Sequence, residues 1–108
     1  MSLIRWSPEE LDKNITSTKH VLVDLRADWC PQCGPQEQVV ERVTPTYKDK
    51  IVFGSVDVGA YPEISERFGI KGLPALLLFR DGNLQDTLAG FKSAPLLKSL
   101  LDGFLAGK

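Results

Sequence analysis

The chain has 108 residues, which suits one domain with one hydrophobic core. Hydrophobic residues make up 43% of it and charged residues 25%, as in an ordinary globular protein. The net charge of -1 excludes the broad basic field of a nucleic-acid binder, and no apolar run approaches the roughly 18 residues of a membrane span. The first ten residues lack the basic-then-apolar pattern of a signal peptide, so we expect a cytoplasmic protein.

The first part of the chain predicts a short strand, a helix and a buried strand. Residues 3–6 are a candidate strand, and residues 7–10, SPEE, start a helix. The serine can cap that helix, the proline fits its first position and the second glutamate completes a capping box. Leu11 and Ile15 give the helix an apolar stripe. The run 21–25 is apolar apart from one acid, which predicts a strand buried on both faces.

The middle of the chain predicts a second helix, a second buried strand and a short third helix. Pro35 lacks the N–H that an interior helical residue donates, so the second helix is expected to start late or to be loosened, and Pro45 can kink its end. Residues 51–58 are rich in β-branched side chains and predict a strand. Residues 64–68 predict a helix that Gly69 ends. The second helix buries side chains at helical spacing, namely Val39, Val40, Val43 and Tyr47.

The last third of the chain predicts a β-hairpin and a terminal helix. The apolar run 75–79 is followed by Asp81-Gly82, a strong hairpin signal, and residues 83–88 should return antiparallel. The apolar stripe of the terminal helix comprises Leu97, Leu100, Leu101, Phe104 and Leu105. Early alternation of strands and helices with a final hairpin predicts a three-layer α/β/α domain around a mixed sheet of about five strands.

Residues 29–35, WCPQCGP, hold the only two cysteines of the chain. They follow a predicted buried strand and open a helix, whose N-terminal N–H groups favour a thiolate. One helical turn brings the second sulfur back beside the first, where it can resolve a mixed disulfide. We therefore expect Cys30, at the exposed helix tip, to attack, and Cys33 to be the buried resolving thiol. Trp29 would offer a flat contact to a partner, or would be a half-buried core residue instead.

Other uses of the cysteine pair fit less well. A structural zinc site needs four ligands, and His20 is the only histidine that could join the two cysteines within one chain. A zinc or iron–sulfur centre shared by two chains stays open. A permanent disulfide across so short a loop would restrict the unfolded chain little. Redox chemistry is therefore favoured.

Taken in order, the motifs resemble the thioredoxin family over nearly the whole chain. VLVDLRADWCPQC resembles the family's buried strand with its acid and its Cys-x-x-Cys, and FGIKGLPALLLFRDG resembles the later Gly-Ile, x-Pro, apolar strand and turn. The resemblance implies a thioredoxin fold. It implies that Pro74 is a cis proline facing the sulfurs and that Asp24 is a buried acid that exchanges a proton with Cys33. It also implies a substrate-binding surface made of Trp29, Gly72, Leu73, Gly90 and Phe91.

Several positions depart from the family pattern, among them Pro31, Gln32, Arg26 and Ser55. Pro31-Gln32 stands where thioredoxins have Gly-Pro, and a proline after the first cysteine resembles glutaredoxins, so the reduction potential is the property most affected. Arg26 replaces an aromatic residue; it either favours the Cys30 thiolate or, as we expect, pairs with Asp28. Ser55 replaces the lysine that commonly accompanies the buried acid.

The resemblance implies a thiol–disulfide oxidoreductase, a protein-disulfide reductase that needs no cofactor beyond its cysteines. The expected partners are disulfide-containing proteins and a flavin-dependent thioredoxin reductase, with no nucleic acid or membrane, and a monomer is expected. One alternative is a disulfide oxidase, isomerase or glutaredoxin-like protein of higher potential. Another, from a different class, is an adaptor domain that binds a partner without redox turnover.

Overall fold

The structure is a computed structural model, and it describes residues 3–107. Within that range it has four helices and four strands in the order α1, β1, α2, β2, α3, β3, β4, α4. Their bounds are α1 Pro8–Ser17, β1 His20–Arg26, α2 Cys33–Tyr47, β2 Val52–Asp57, α3 Pro62–Phe68, β3 Ala75–Arg80, β4 Asn83–Ala89 and α4 Ala94–Leu105.

The strands form one mixed sheet in the spatial order β2-β1-β3-β4. β1 runs parallel to β2 and antiparallel to β3, and β3 pairs antiparallel with β4. The turn between β3 and β4 is the predicted Asp81-Gly82, with both residues at positive φ, 52° and 83°. That pair of angles is typical of the type I′ hairpin turn. The predicted mixed α/β sheet is confirmed.

The sheet separates two hydrophobic clusters. Alternate residues of β1 point to opposite faces, so Leu22 packs with α2 and α4 while Val21 and Val23 pack on the side of α1 and α3. All four predicted stripe residues of α2 are buried in the first cluster. The sheet, with helices packed through these clusters on both of its faces, forms the three-layer α/β/α arrangement predicted from the sequence.

The segment before α1 forms less strand than the sequence predicts. Its extended part makes one parallel bridge, between Arg5 and Ser55, and two flanking backbone hydrogen bonds. It ends there because Ser7 already caps α1, through the predicted capping box with Glu10. The described residues therefore contain four strands and a bridge, and the predicted count of about five is one too high. Trp6 lies against Gly54 of β2, where a Cβ atom would overlap its indole ring.

Helix α2 starts earlier than its proline content suggests. The prediction of a late or loosened start at Pro35 is wrong, because the helix begins at Cys33. Pro35 is then its third residue, and the first four N–H groups of a helix have no partner inside it. A missing N–H costs no helical hydrogen bond there. Pro45 lies inside the last turns, and the helix still extends to Tyr47.

Candidate functional site

Cys30 and Cys33 are joined by a disulfide, with their Cα atoms 5.4 Å apart. Cys33 is the first residue of α2 and is 1% exposed. Cys30 lies in the turn before the helix, where its N–H donates to the carbonyl of Ala27 at 3.1 Å. It is 8% exposed, so it is less open than predicted, since its sulfur is bonded to Cys33 in this oxidised state. Trp29 is 71% exposed, which rules out the alternative of a half-buried core tryptophan.

A loop with a cis peptide bond separates two surface grooves, one of which is lined by Trp29. The bond joins Leu73 to Pro74, as the family resemblance implied. One groove, of about 380 Å³, has Trp29 in its wall, and the other, of about 420 Å³, has Gly90. Gly72 and Leu73 line both. Phe91, next to Gly90, is 41% exposed. The predicted substrate-binding residues are thus arranged on and around this loop.

Asp24 is completely buried in the middle of β1. Its carboxyl pKa is raised to about 8, first by burial and then by the nearby Glu37 and Glu41, while the positive charge of Arg26 acts in the opposite direction. Both carboxyl oxygens lack a hydrogen-bond partner among the described residues. Glu37 and Glu41 follow Cys33 at intervals of four residues, so all three lie on one side of α2. Asp24 therefore lies on the face of the sheet covered by α2, the helix that begins at Cys33, and its raised pKa favours the protonated carboxyl at neutral pH.

Arg26 binds three carboxylates around the cysteine turn. Its guanidinium lies 3.1 Å from Asp28, 3.0 Å from Asp57 and 3.7 Å from Glu37. The predicted pairing with Asp28 is present, but the sequence analysis missed Asp57 and Glu37. Asp57 is the in-register neighbour of Arg26 on β2, and Glu37 lies one turn after Cys33. Arg26 thus connects the loop before Cys30, helix α2 and the end of β2.

Gln36 is a third residue that the sequence analysis missed. It is completely buried in α2, and its side chain forms two hydrogen bonds with the backbone of Lys92. A signal was available: Gln36 shares the helical spacing of Val39, Val40 and Val43, so it is a polar residue on the apolar face.

Metal binding and membrane insertion are two further functions for which the structure can be searched. Across residues 3–107, the His, Cys, Asp and Glu side chains form no group of three that could hold a metal ion. None of the helices in the same range has the length and apolar character that a membrane crossing requires.

Comparison with known proteins was made on sequence and on structure. A sequence model described as thioredoxin matches residues 2–102, almost the whole chain. The chain belongs to the thioredoxin family. Thioredoxin of Buchnera aphidicola is 33% identical over 91 residues, 84% of this chain and 84% of that protein. Thioredoxin of Mycoplasmoides gallisepticum is 37% identical over 92 residues, 85% of this chain and 91% of the relative.

Solved thioredoxin structures have the same fold. An oxidised thioredoxin from Plasmodium falciparum superposes with a TM-score of 0.85 at 31% identity, covering 96% of this chain and 99% of the other. A mutant thioredoxin from Halobacterium salinarum gives a TM-score of 0.85 at 29% identity, covering 95% and 89%. The fold prediction is confirmed, and the chain is a thiol–disulfide oxidoreductase. Thioredoxins act on disulfides of proteins, are reduced by thioredoxin reductase and need no added cofactor.

Proposed function

We propose that this thioredoxin-family protein is a protein-disulfide reductase in which Cys30 attacks and Cys33 resolves. The observation that carries the assignment is the contrast between the two sulfurs' surroundings. Cys30 precedes the helix beside the exposed Trp29, whereas Cys33 is enclosed as the first residue of α2. Of the two cysteines, Cys30 is the more exposed, 8% against 1% for Cys33, so it is the one that a disulfide on another protein would reach first.

The exchange then takes place in two steps. The Cys30 thiolate attacks one sulfur of the target disulfide; that bond breaks, and one target thiolate leaves and takes up a proton. Cys33 then loses its proton and attacks the Cys30 sulfur of the mixed disulfide, which releases the second target thiol. Two electrons pass from the protein to the target, and the Cys30–Cys33 disulfide remains.

Asp24 is the candidate acceptor for the proton of Cys33. A carboxyl with a pKa of about 8 is close enough to the pKa of a thiol to exchange a proton with it near neutral pH. Its position beneath the cysteine-bearing helix supports this role. Because Arg26 is engaged by three other carboxylates, it offsets only part of the effect of burial on Asp24.

Protein substrates would bind as extended segments along the cis-proline loop. The N–H and C=O of Leu73 can pair with such a segment in the manner of an added strand. The two grooves on either side of Gly72 and Leu73 would take its side chains, with Trp29 and Phe91 as apolar contacts at the rims. Alanine variants of Trp29 and Phe91 should slow reduction of a protein disulfide.

The oxidised protein would be recycled by a flavin-dependent thioredoxin reductase, so that it carries electrons between that enzyme and its targets. It would act as a monomer. A dithiol that donates electrons works in a reducing compartment, which supports the cytoplasm.

The test of the two cysteine roles is a trapping experiment. Cys33→Ser should accumulate a mixed disulfide with a protein disulfide such as oxidised insulin, visible on a non-reducing gel and lost on adding dithiothreitol. Cys30→Ser is the matched control and should trap nothing. If Cys30→Ser traps targets and Cys33→Ser does not, the roles are reversed. If neither variant traps and the wild type leaves insulin oxidised, the chain is an adaptor.

Pro31-Gln32 favours a second candidate, in which electrons flow in the opposite direction and the protein oxidises or isomerises disulfides. The reduction potential of the cysteine pair separates the two candidates. A value near about -270 mV is that of a thioredoxin-like reductant, whereas glutaredoxins lie at about -200 to -230 mV and isomerases and oxidants above about -200 mV. We expect the lower value.

A further inference from the structure

Gln36 is a fully buried amide on the apolar face of α2, three residues after Cys33. Burial of an amide costs free energy unless its polar atoms are paired. Here the side-chain nitrogen donates to the carbonyl oxygen of Lys92 at 3.1 Å, and the side-chain oxygen accepts from the N–H of Lys92 at 2.7 Å. The side chain therefore binds both backbone groups of one residue that is 56 positions away in the chain.

Lys92 belongs to the segment 90–93, which connects β4 to α4 and carries Gly90 and Phe91. The other end of this segment is also bound, because the N–H of Gly90 donates to the carbonyl of Pro74 at 3.0 Å. The ammonium of Lys92 donates back to the carbonyl of Ala89. Segment 90–93 is thus held to the cis-proline loop at one end and to the cysteine-bearing helix at the other.

These contacts connect the three parts of the substrate-docking surface. The first is α2 with the cysteine turn, the second is the loop with Pro74, and the third is the rim formed by Gly90 and Phe91. Both polar groups of Gln36 are occupied by Lys92, so the residue acts through segment 90–93. Without the Gln36 side chain, segment 90–93 would keep its hydrogen bond to Pro74 but lose these two hydrogen bonds to α2.

We propose that Gln36 is a positioning residue for protein substrates, which fixes the rim at Gly90 and Phe91 relative to the cysteine pair. The inference rests on the proposed function, since it concerns how a protein disulfide is bound before the exchange. It predicts a defect in binding a protein substrate and none in the exchange chemistry. A small disulfide reagent needs no docking surface, so its reduction should not depend on Gln36.

The experiment uses the full-length reduced protein in single-turnover reactions. Gln36→Met removes both hydrogen bonds and keeps a side chain of similar volume. With oxidised insulin as the probe, the half-saturating concentration should rise about tenfold, equivalent to about 1.4 kcal/mol of binding free energy. The limiting rate, the rate with 5,5′-dithiobis(2-nitrobenzoic acid) and the reduction potential should stay at the wild-type values.

Tyr47→Phe is the matched control on the same helix. Its phenol oxygen lies 2.7 Å from the Asp102 carboxylate, to which its O–H donates, and 3.2 Å from the carbonyl of Lys98, so the variant also removes hydrogen bonding between α2 and α4. It leaves segment 90–93 untouched and should not change the half-saturating insulin concentration. If Tyr47→Phe and Gln36→Met raise it equally, Gln36 is merely structural and the inference fails.

A double-mutant cycle tests whether Gln36 acts through the rim. Phe91→Ala should weaken insulin binding, and adding Gln36→Met to it should cause less than the sum of the two effects. Full additivity would contradict the inference.

If Gln36→Met does not fold, Gln36→Glu keeps the shape and the accepting oxygen and should also raise the half-saturating concentration. A wild type that reduces neither probe would refute the proposed function, whereas an active wild type with unchanged insulin saturation in the variants would refute only this inference.

Discussion

Asp24 and Ser55 are in-register neighbours on the parallel strands β1 and β2, and both side chains are completely buried on the same face of the sheet. Neither Ser55 Oγ nor the Asp24 carboxyl has a hydrogen-bond partner among the described residues. Ser55, which by the family resemblance replaces a lysine, therefore lies beside the buried acid, as that resemblance implied. Here it supplies a hydroxyl and no charge, which leaves burial as the main influence on Asp24.

Introducing a cation at that position should change the titration of the acid. We expect Ser55→Lys to lower the pKa of Asp24 from about 8 by roughly 1 to 3 pH units, because an adjacent positive charge favours the carboxylate. An NMR titration of the Asp24 carboxyl carbon measures this directly. Ser55→Ala is the control and should leave the pKa raised; an unchanged pKa in Ser55→Lys would mean that the two side chains do not interact.

The raised pKa of Asp24 also predicts how stability depends on pH. The folded protein keeps this proton up to about pH 8, whereas the unfolded chain releases it at about pH 4. Between these values the folded state binds one more proton, so the free energy of unfolding falls as pH rises, by roughly 4 kcal/mol at pH 7. Asp24→Asn should remove this loss. Urea unfolding should show a gain from the substitution that is roughly 4 kcal/mol larger at pH 7 than at pH 4. An equal gain at both pH values would contradict the prediction.

Arg26 should matter far more for stability than its most exposed partner. The side chain of Arg26 is 13% exposed and that of Asp28 is 90% exposed. We expect Arg26→Met to lower the free energy of unfolding by about 3 kcal/mol, because it leaves the carboxylates of Glu37 and Asp57 without their shared cation. Asp28→Asn should have little effect, since an exposed ion pair contributes little. Urea unfolding of both variants measures this. Similar losses of unfolding free energy would show that the pairs of Arg26 with Glu37 and Asp57 contribute no more than the exposed pair with Asp28.

Gly54 should not tolerate any side chain. A Cβ atom at this position would overlap the indole of Trp6, so we expect Gly54→Ala to cost roughly 1 to 3 kcal/mol. Gly103→Ala in α4 is the control, because a Cβ there meets no atom within 4 Å and alanine favours the helix. Replacing Trp6 by a smaller residue in the Gly54→Ala background should recover part of the loss. Thermal unfolding of the four proteins, wild type included, checks this.

Elements with a local signal could be predicted from the sequence. The capping box at Ser7, the left-handed Gly69 at the end of α3 and the Asp81-Gly82 turn are each determined by neighbouring residues, and all are present. The burial of Asp24 was also predictable, because an acid within a continuous apolar run must share the surroundings of that run.

What could not be predicted depends on residues that are distant in sequence. The hydrogen bonds of Gln36 with Lys92 and the ion pair of Arg26 with Asp57 follow from how the helices and strands pack, which no local pattern encodes. The start of α2 was mispredicted for a different reason. Whether Pro35 breaks a hydrogen bond depends on how far it lies from the first helical residue, and that distance was the unknown.

The two tryptophans of the chain lie in opposite environments. Trp6 is buried against Gly54, whereas Trp29 is exposed and immediately precedes Cys30, one of the two disulfide-bonded cysteines. Their fluorescence should therefore report separate events. Emission from Trp29 should be red-shifted and should brighten when the quenching disulfide is reduced, whereas emission from Trp6 should change only when the protein unfolds. The unmodified protein thus contains its own optical reporters of redox state and of folding.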